Sequence, residues 1–489
     1  MPTPMTPPDR RSPVRRLPLL ALLGIVACSR GAPPADVGFV AKWTATHYAL
    51  ARAERLSPPV AARTSAYAAI ALYEGWAAFS DSLRSLGGQL NGFDSLPRPV
   101  RGEDYDAALV AMEAQTLVLR ELYREGFAST GVAVTLLRDS LLGVRERSGV
   151  PAAVRERSLA YGATLARAIL AWAAEDGFAK RSLAYQAKTG PEQWFATATE
   201  AQYRSSNLSA ARDFVSFDNP TAGARPGETS ERALTVNRPK RPGNTTAPGI
   251  NPLNALEPGW GSLRPFALDS AGVCPAPPAV PWSTEKNSPM YAQAKAVMEA
   301  TASLDAERRA IAYFWADNPG ESGTPAGHWL GIMSALATEK GLTPERTVEM
   351  YALTAIAMAD AFIGCWKSKY EINLLRPVTY IQRHIDPRWQ TPLNTPPFPE
   401  YPSGHSVQSA AAAEVLTALL GEVPFVDSTH VALGHAPRSF PSFRAAAREA
   451  QISRLYGGIH YPMAIENGAV QGRCIGEAVL RRVHTRQGE

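Results

Sequence analysis

Between Tyr105 and Tyr123 the chain places Tyr105, Leu109, Met112, Thr116, Leu119 and Tyr123 at alternating spacings of three and four. That period puts all six on one face of a helix. The same reading, with Ser/Asp/Thr starts and Gly or Asn stops, predicts long helices over 38–55, 58–80, 104–126, 152–178, 287–301, 345–375, 405–420 and 461–483. Strict apolar/polar alternation is scarce, so the expected class is all-α. Residues 216–286 are rich in Pro, Gly and Asn and read as an ordered surface connection between two helical halves. The expected layout is an N-terminal helical bundle over 38–215 and a C-terminal helical bundle over 287–489. No internal repeat or low-complexity tract is evident.

Composition changes this picture little. A chain of 489 residues, 45% hydrophobic, can bury two cores or one large one. The net charge of +5 is concentrated at the N-terminus, where residues 1–27 hold four arginines against Asp9, leaving about +2 for the remainder. No basic stripe with interleaved aromatics appears, which argues against a nucleic-acid partner. Arg11, Arg15 and Arg16 precede an apolar run from Leu17 to Ala27. It is too short to span a bilayer and has the flanks of a secretion signal. Ile25 to Cys28 resembles a bacterial lipobox, which implies a lipoprotein signal peptide over 1–27, acylation of Cys28 and a tether over 28–37. Ser29 then favours the outer membrane, facing the periplasm. No later apolar run is uninterrupted for a membrane-spanning length, since even the stretch from Tyr351 to Trp366 carries Asp360. Beyond Cys28 only Cys274, Cys365 and Cys474 remain. They allow one disulfide, lack zinc-finger spacing, and leave Cys365 beside Trp366 as a small core residue.

The candidate chemistry lies in three short clusters near the C-terminus: Lys369 to Pro377 (KYEINLLRP), Pro402 to His405 (PSGH) and Ser453 to His460 (SRLYGGIH). Lys369 and Arg376 are seven residues apart and fall on one helical face, with Trp366 one turn earlier and a helix end or kink expected near Arg376 because of Pro377. Pro-Ser-Gly before His405 reads as a helix start, with the N–H groups of Ser403 and Gly404 exposed to an anion. Gly457 and Gly458 let the backbone turn and bring Arg454 and His460 to one pocket. One lysine, two arginines, a helix start and two histidines are equipment for holding and attacking a tetrahedral oxyanion. No motif for haem, flavin or nicotinamide is present.

In order and spacing the clusters resemble the signature Lys-x6-Arg-Pro, Pro-Ser-Gly-His, Ser-Arg-x5-His of the superfamily that joins type 2 phosphatidic acid phosphatases to vanadium-dependent haloperoxidases. Looser similarity to bacterial haloperoxidases extends over Phe314–Trp329 and Pro58–Trp76. The resemblance implies a C-terminal helical bundle of vanadium chloroperoxidase or acid phosphatase type, with vanadate as cofactor and hydrogen peroxide, a halide and an organic acceptor as partners. It implies that His460 bonds vanadium, or is the nucleophile if the substrate is a phosphate ester. His405 becomes the acid–base histidine, Lys369 polarises the bound peroxide, and Lys369, Arg376, Ser403, Gly404 and Arg454 hold the oxyanion. Trp366 and Phe398 correspond to aromatics that line the halide site in fungal chloroperoxidases.

The chain departs from the phosphatase pattern at one place. There the signature continues His-x3-Asp, but the fourth residue after His460 is Ala464. A ligating or nucleophilic histidine needs a partner on its other nitrogen, and a backbone carbonyl or Glu466 are the candidates in view. His328 reads as buried or supporting rather than ligating, and His47, His384, His430, His435 and His484 receive no role. A periplasmic acid phosphatase and a non-catalytic oxyanion-binding lipoprotein stay open beside the haloperoxidase. The choice of halide and the oligomeric state are not specified.

Overall fold

The computed structural model describes residues 38–182, 185–186, 188–195 and 255–488. The signal peptide, Cys28, the tether and the first part of the 216–286 connection lie outside the described residues. Within them the protein is all-α, as expected from the periodicity. The first group of helices is α1 Gly38–Ala53, α2 Pro58–Ala77, α3 Ala107–Leu122, α4 Ala128–Arg147 and α5 Ala152–Ala174. The second is α6 Pro289–Ala302, α7 Ala306–Phe314, α8 Thr324–Glu339, α9 Pro344–Ile372, α10 Pro377–His384, α11 Gly404–Leu420, α12 Phe443–Tyr456 and α13 Pro462–Arg482. Two three-residue strands, β1 Phe425–Asp427 and β2 Arg438–Phe440, pair antiparallel, with Val426 opposite Ser439.

Helix α9 is the axis of the molecule. Thr343 caps it by accepting the Arg346 N–H at 3.3 Å, and Pro344 fills the first turn, where no amide partner is needed. On one side α9 packs against α2, which in turn carries α3 and α5; on the other it packs against α11 and α13. One continuous core therefore runs from Phe39 on α1 through the aliphatic face of α9 to Val483. By length and hydropathy α9 would suffice to cross a membrane, contrary to the reading of the sequence. Its apolar window is wholly enclosed by protein, so it is the central helix of a core. Asp360, which interrupts that window, is buried and accepts the N–H groups of Phe266, Ala267 and Leu268 at 2.6, 2.8 and 3.0 Å. These charge-assisted bonds fasten the described part of the connection along α9. Leu256 O takes two more donors from the same helix, Trp366 Nε1 at 3.2 Å and Tyr370 OH at 2.6 Å. Cys274 and Cys474 form a disulfide that ties the connection to α13, and Cys365 is free and buried.

The helices missed by periodicity share weak signals. Helix α4 buries only Thr130, Val134 and Leu141 and exposes Val132 and Leu136. Helix α8 begins in a Pro-Gly-rich stretch and contains Gly327 and Gly331, and α10 is only eight residues long. In the last case tertiary packing, not propensity, supplies the stability of a short helix.

The contact between α11 and α13 sets the spacing of the second half. Gly468, Gly472 and Gly476 form a stripe on α13 that faces α11. A Cβ on Gly472 would lie 2.1 Å from Val407 O and one on Gly476 2.8 Å from Glu414 Cβ, so the two backbones are too close for any side chain. Gly472→Ala is therefore expected to destabilise the fold by about 1–3 kcal/mol, the usual cost of overpacking, measured as a lower denaturant midpoint with unchanged slope. The disulfide spans 200 residues of chain. Cys274→Ser is expected to lower stability by about 2–5 kcal/mol, read from thermal unfolding under non-reducing conditions against the wild type, and an unchanged midpoint would mean that the bridge constrains nothing.

Candidate functional site

The three sequence clusters converge at the ends of α9, α11 and α12. Helix α9 stops at Ile372 because Asn373 turns left-handed (φ 58°) and returns its N–H to Lys369 O. Arg376 then stands in extended backbone as the residue before α10. Lys369 and Arg376 are thus not on one helical face, as expected from their spacing; a left-handed turn brings them together. Helix α11 starts where the Pro-Ser-Gly turn predicts, with the Ser403 hydroxyl capping Ser406 N–H at 3.4 Å. After α12, Gly458 takes a positive φ of 72°, and Gly457 packs where a Cβ would sit 2.6 Å from Leu393 Cδ1. Both glycines are needed to return the chain from Arg454 to His460.

His460 is held from both ring nitrogens. Arg376 Nη1 lies 3.1 Å from Nε2, and a guanidinium can only donate, so Nε2 is the acceptor and the ring proton is on Nδ1. That Nδ1–H donates to Glu400 Oε1 at 2.9 Å, which also accepts the Tyr461 N–H at 2.9 Å. Glu400 is therefore the carboxylate partner that Ala464 does not supply. Of the alternatives named from sequence, Glu466 is exposed, and Nδ1 is committed to the Glu400 carboxylate instead of a backbone carbonyl. Burial, reinforced by Arg376, Lys369 and Arg454, holds the His460 imidazole well below its usual range, hence neutral. Burial also lifts Glu400 to about 7.

Among the described residues the cations around this pair are buried without a carboxylate in direct ion-pair contact. Arg376 is fully buried and donates Nε and Nη2 to Phe398 O (3.1 and 3.0 Å) and Nη1 to Ile459 O (2.9 Å). Lys369 is equally buried and directs its ammonium at the carbonyls of Pro399, Glu400 and Pro402, two of them at 3.0 Å. Burial pushes Lys369 down to about 7, although three carbonyl acceptors favour the protonated amine. Arg454 is bonded to Trp315 O, and its Nε has no partner. Burying charge without a counter-ion is costly, so this corner is arranged for an anion.

Beside it lies a cavity of about 140 Å³ whose lining includes Trp366, Phe398, Gly404, His405, Arg454 and His460. Of the residues expected at the site, these six border the cavity. Lys369, Arg376 and Ser403 stand behind the wall, Lys369 Nζ lying 5.1 Å from the Phe398 ring centroid and Arg376 Cζ 4.9 Å from it. The Ser403 N–H, expected to face the anion, is committed to Ala464 O, leaving its hydroxyl as the donor. Trp366 and Phe398 pack 4.9 Å apart and make one wall apolar. The donor set fits a tetrahedral oxyanion such as vanadate: His460 Nε2 would hold it, with Arg454, Arg376 and the Gly404 end of α11 as hydrogen-bond donors.

His405 is 15% exposed and its Nε2 has no hydrogen-bond partner. Burial and the nearby Arg454 depress it well below the usual histidine range, while Asp317 and the Trp315 carbonyl pull it upward. Asp317 Oδ2 is 3.8 Å from His405 Nε2. Behind Asp317 is a group that the sequence did not single out: His328 lies between Asp317 (Nδ1 to Oδ2, 3.0 Å) and Asp427 (Nε2 to Oδ2, 2.8 Å), and His430 packs against it. Burial disfavours charge on His328, but the two carboxylates outweigh it and lift the ring to about 10. His328 thus supports rather than lines the cavity, as expected. Asp317 lies within the Phe314–Trp329 stretch but outside the three clusters, 88 residues before His405, and Asp427 ends a short strand outside any motif, so spacing gave neither a role.

Comparison with known proteins follows the same lines. Residues 349–488 match the VCPO second helical-bundle domain. Over 232 residues the chain is 26% identical to the vanadium chloroperoxidase of Curvularia inaequalis, a match that takes in 40% of this chain and spans only 38% of that protein's length. Among solved structures, a bacterial vanadium-dependent iodoperoxidase superposes with a TM-score of 0.77 at 33% identity, over 93% of this chain and 99% of that one. A holo-type bacterial vanadium-dependent chloroperoxidase shares the fold, with a TM-score of 0.61 at 14% identity over 88% and 93% of the two chains. With 33% identity along nearly the whole length of one such enzyme, the chain belongs to the vanadium-dependent haloperoxidase family.

Proposed function

We propose that this protein binds vanadate at His460 and uses hydrogen peroxide to oxidise a halide to hypohalous acid or a halogenated product. The observation that carries this reading is a neutral histidine at a cavity's edge whose Nε2 accepts from Arg376, with the buried Arg454 in the cavity wall and Lys369 and Arg376 behind it. When bound, vanadate supplies a Lewis-acidic centre that activates peroxide toward a nucleophilic halide. The chain's own residues do the rest. Glu400 fixes the tautomer and aim of His460. Arg376 Nη1, now on His460 Nε2, is the donor released to an anion's oxygen once that nitrogen is engaged. Arg454, the Ser403 hydroxyl and the Gly404 N–H complete the hold, and Lys369 acts from behind the wall as a positive charge. His405 Nε2, unpartnered at the cavity, takes the proton that peroxide must lose. Trp366 and Phe398 exclude water from the side where a halide would enter.

Glu400 also supports a second reading. A nucleophilic histidine leans on a carboxylate through a changing charge, and the absence of one after His460 argued against a phosphatase. With Glu400 in that place the argument lapses, and a periplasmic acid phosphatase working through a phosphohistidine at His460 stands as the alternative. For location we propose the cell envelope, by lipid attachment at Cys28; a disulfide suits an oxidising compartment.

The protein stripped of anions is expected to halogenate an acceptor dye with peroxide and bromide or iodide only after orthovanadate is added, with phosphate competing. Vanadate-inhibited hydrolysis of a phosphate ester without halide oxidation would install the phosphatase instead, and vanadate binding with neither activity a plain oxyanion-binding protein. His460→Ala should abolish activity and vanadate binding, whereas His405→Ala should retain binding and lose turnover, checked by equilibrium dialysis beside the dye assay. Hydrogen bonds to ionised groups contribute roughly 1.5–3 kcal/mol each, so Arg454→Ala should weaken vanadate by about one to two decades. Glu400→Gln, which keeps the shape but loses the charge, should cost about 10–100-fold in vanadate affinity; unchanged affinity would mean that the Glu400 contact does not position His460.

A further inference from the structure

We propose that Asp317, His328 and His430 hold a divalent first-row transition-metal ion of zinc type, in the wall behind the cavity and separate from the oxyanion site. Asp317, His328 and His430 are all buried, and one donor atom from each lies within 4.8 Å of the other two. Each histidine has its outward nitrogen already committed. His430 Nδ1 is 2.8 Å from Phe314 O, a pure acceptor, so Nδ1 carries a proton and Nε2 is left with its lone pair in the neutral ring. His328 Nε2 is 2.8 Å from Asp427 Oδ2, so it too carries its proton on the far side from the cluster. A carboxylate or carbonyl on the outer nitrogen of each imidazole is the pattern by which metal-binding histidines are oriented.

The decisive contact is between His430 Nε2 and Asp317 Oδ1. They stand 3.5 Å apart, and His430 Nε2 has no hydrogen-bond partner although the ring is 2% exposed. A lone pair facing a carboxylate oxygen in a dry interior is repulsive unless something positive lies between them. The spacing is long for a hydrogen bond, yet it fits two ligands on one ion. Metal–ligand bonds of about 2.0–2.1 Å at tetrahedral angles place donor atoms roughly 3.3–3.4 Å apart. His328 Nδ1, 3.2 Å from Asp317 Oδ1, gives a second donor pair of that size, and the two histidine nitrogens lie within 4.8 Å of each other.

Charge agrees with geometry. Asp317 and Asp427 bring two negative charges into a fully buried site, and among the described residues their ion-pair partners are histidines, with no lysine or arginine within pairing distance of either. A proton on His328 cancels only one of them. One divalent ion with two neutral imidazoles cancels both. Two imidazoles and one carboxylate suit zinc or ferrous iron better than calcium or magnesium, which take oxygen ligands. Asp317 Oδ1 lies between the two histidines, while Oδ2 is 3.0 Å from His328 Nδ1 and 3.8 Å from His405 Nε2, so the ion would sit one residue behind the acid–base group.

The full chain, prepared without a histidine tag and stripped of metals and anions, is to be titrated with zinc and separately with cobalt, with zinc, iron and vanadium counted by elemental analysis. One zinc per chain that survives dialysis without vanadate present, and cobalt bands of a four- or five-coordinate nitrogen/oxygen site, are expected. His430→Gln should lower zinc affinity by more than about a hundredfold, and Asp427→Asn, which only orients His328, by about 10–100-fold, while both keep the wild-type far-ultraviolet dichroism. A wild-type chain that retains no zinc, iron or cobalt, or a folded His430→Gln variant that binds zinc as tightly as the wild type, would overturn the assignment.

Discussion

The site depends on keeping Lys369, Arg376 and Arg454 charged in a dry interior where, among the described residues, no carboxylate pairs directly with any of them, although Glu400 and Asp317 act on them from farther off. Desolvating an ion costs several kcal/mol unless its hydrogen bonds are replaced. Here backbone carbonyls do most of the replacing: those of Phe398, Pro399, Glu400, Pro402, Trp315 and Ile459. Carbonyls satisfy the geometry of a cation but leave its full charge in place. The corner is therefore positive when empty, and an anion entering it gains from three charges at once.

That constraint explains the order of the surrounding architecture. Segment 398–402 must run past Lys369 and Arg376 with its carbonyls inward, and it is held there by α9 on one side and the start of α11 on the other. Helix α11 can take its position only because α13 approaches without side chains at Gly468, Gly472 and Gly476. Helix α9 in turn is fixed by Asp360 and by α2 from the N-terminal half. The first group of helices reaches the cavity through Pro58 at the start of α2 and the adjoining Arg55, and it covers the helix that carries Lys369.

Much of this was written in local sequence. All eight helices expected from the sequence are present, and the clusters around Lys369, His405 and His460 do meet. What local pattern could not carry was contact between distant segments. The partner of His460 is Glu400, sixty residues earlier and in no motif, and Asp317, His328, Asp427 and His430 converge from four separate elements. Spacing also misled where a turn intervened: seven residues suggested one helical face for Lys369 and Arg376, but Asn373 reverses the chain between them. Helix α8 is interrupted by glycines, and α10 is too short, at eight residues, for a periodic pattern to be read.

The position of Glu400 has a bearing on how relatives of such proteins are recognised. A carboxylate that orients a histidine has to reach one atom, Nδ1, and the direction of approach is immaterial to the proton. In this chain the carboxylate arrives from the loop before α11 instead of from the first turn of α13. A search that demands an acidic residue four places after the histidine would discard a protein in which the interaction itself is intact. The unit to look for is the pairing in space, and a missing letter in the pattern is a reason to ask which other loop has taken over the task.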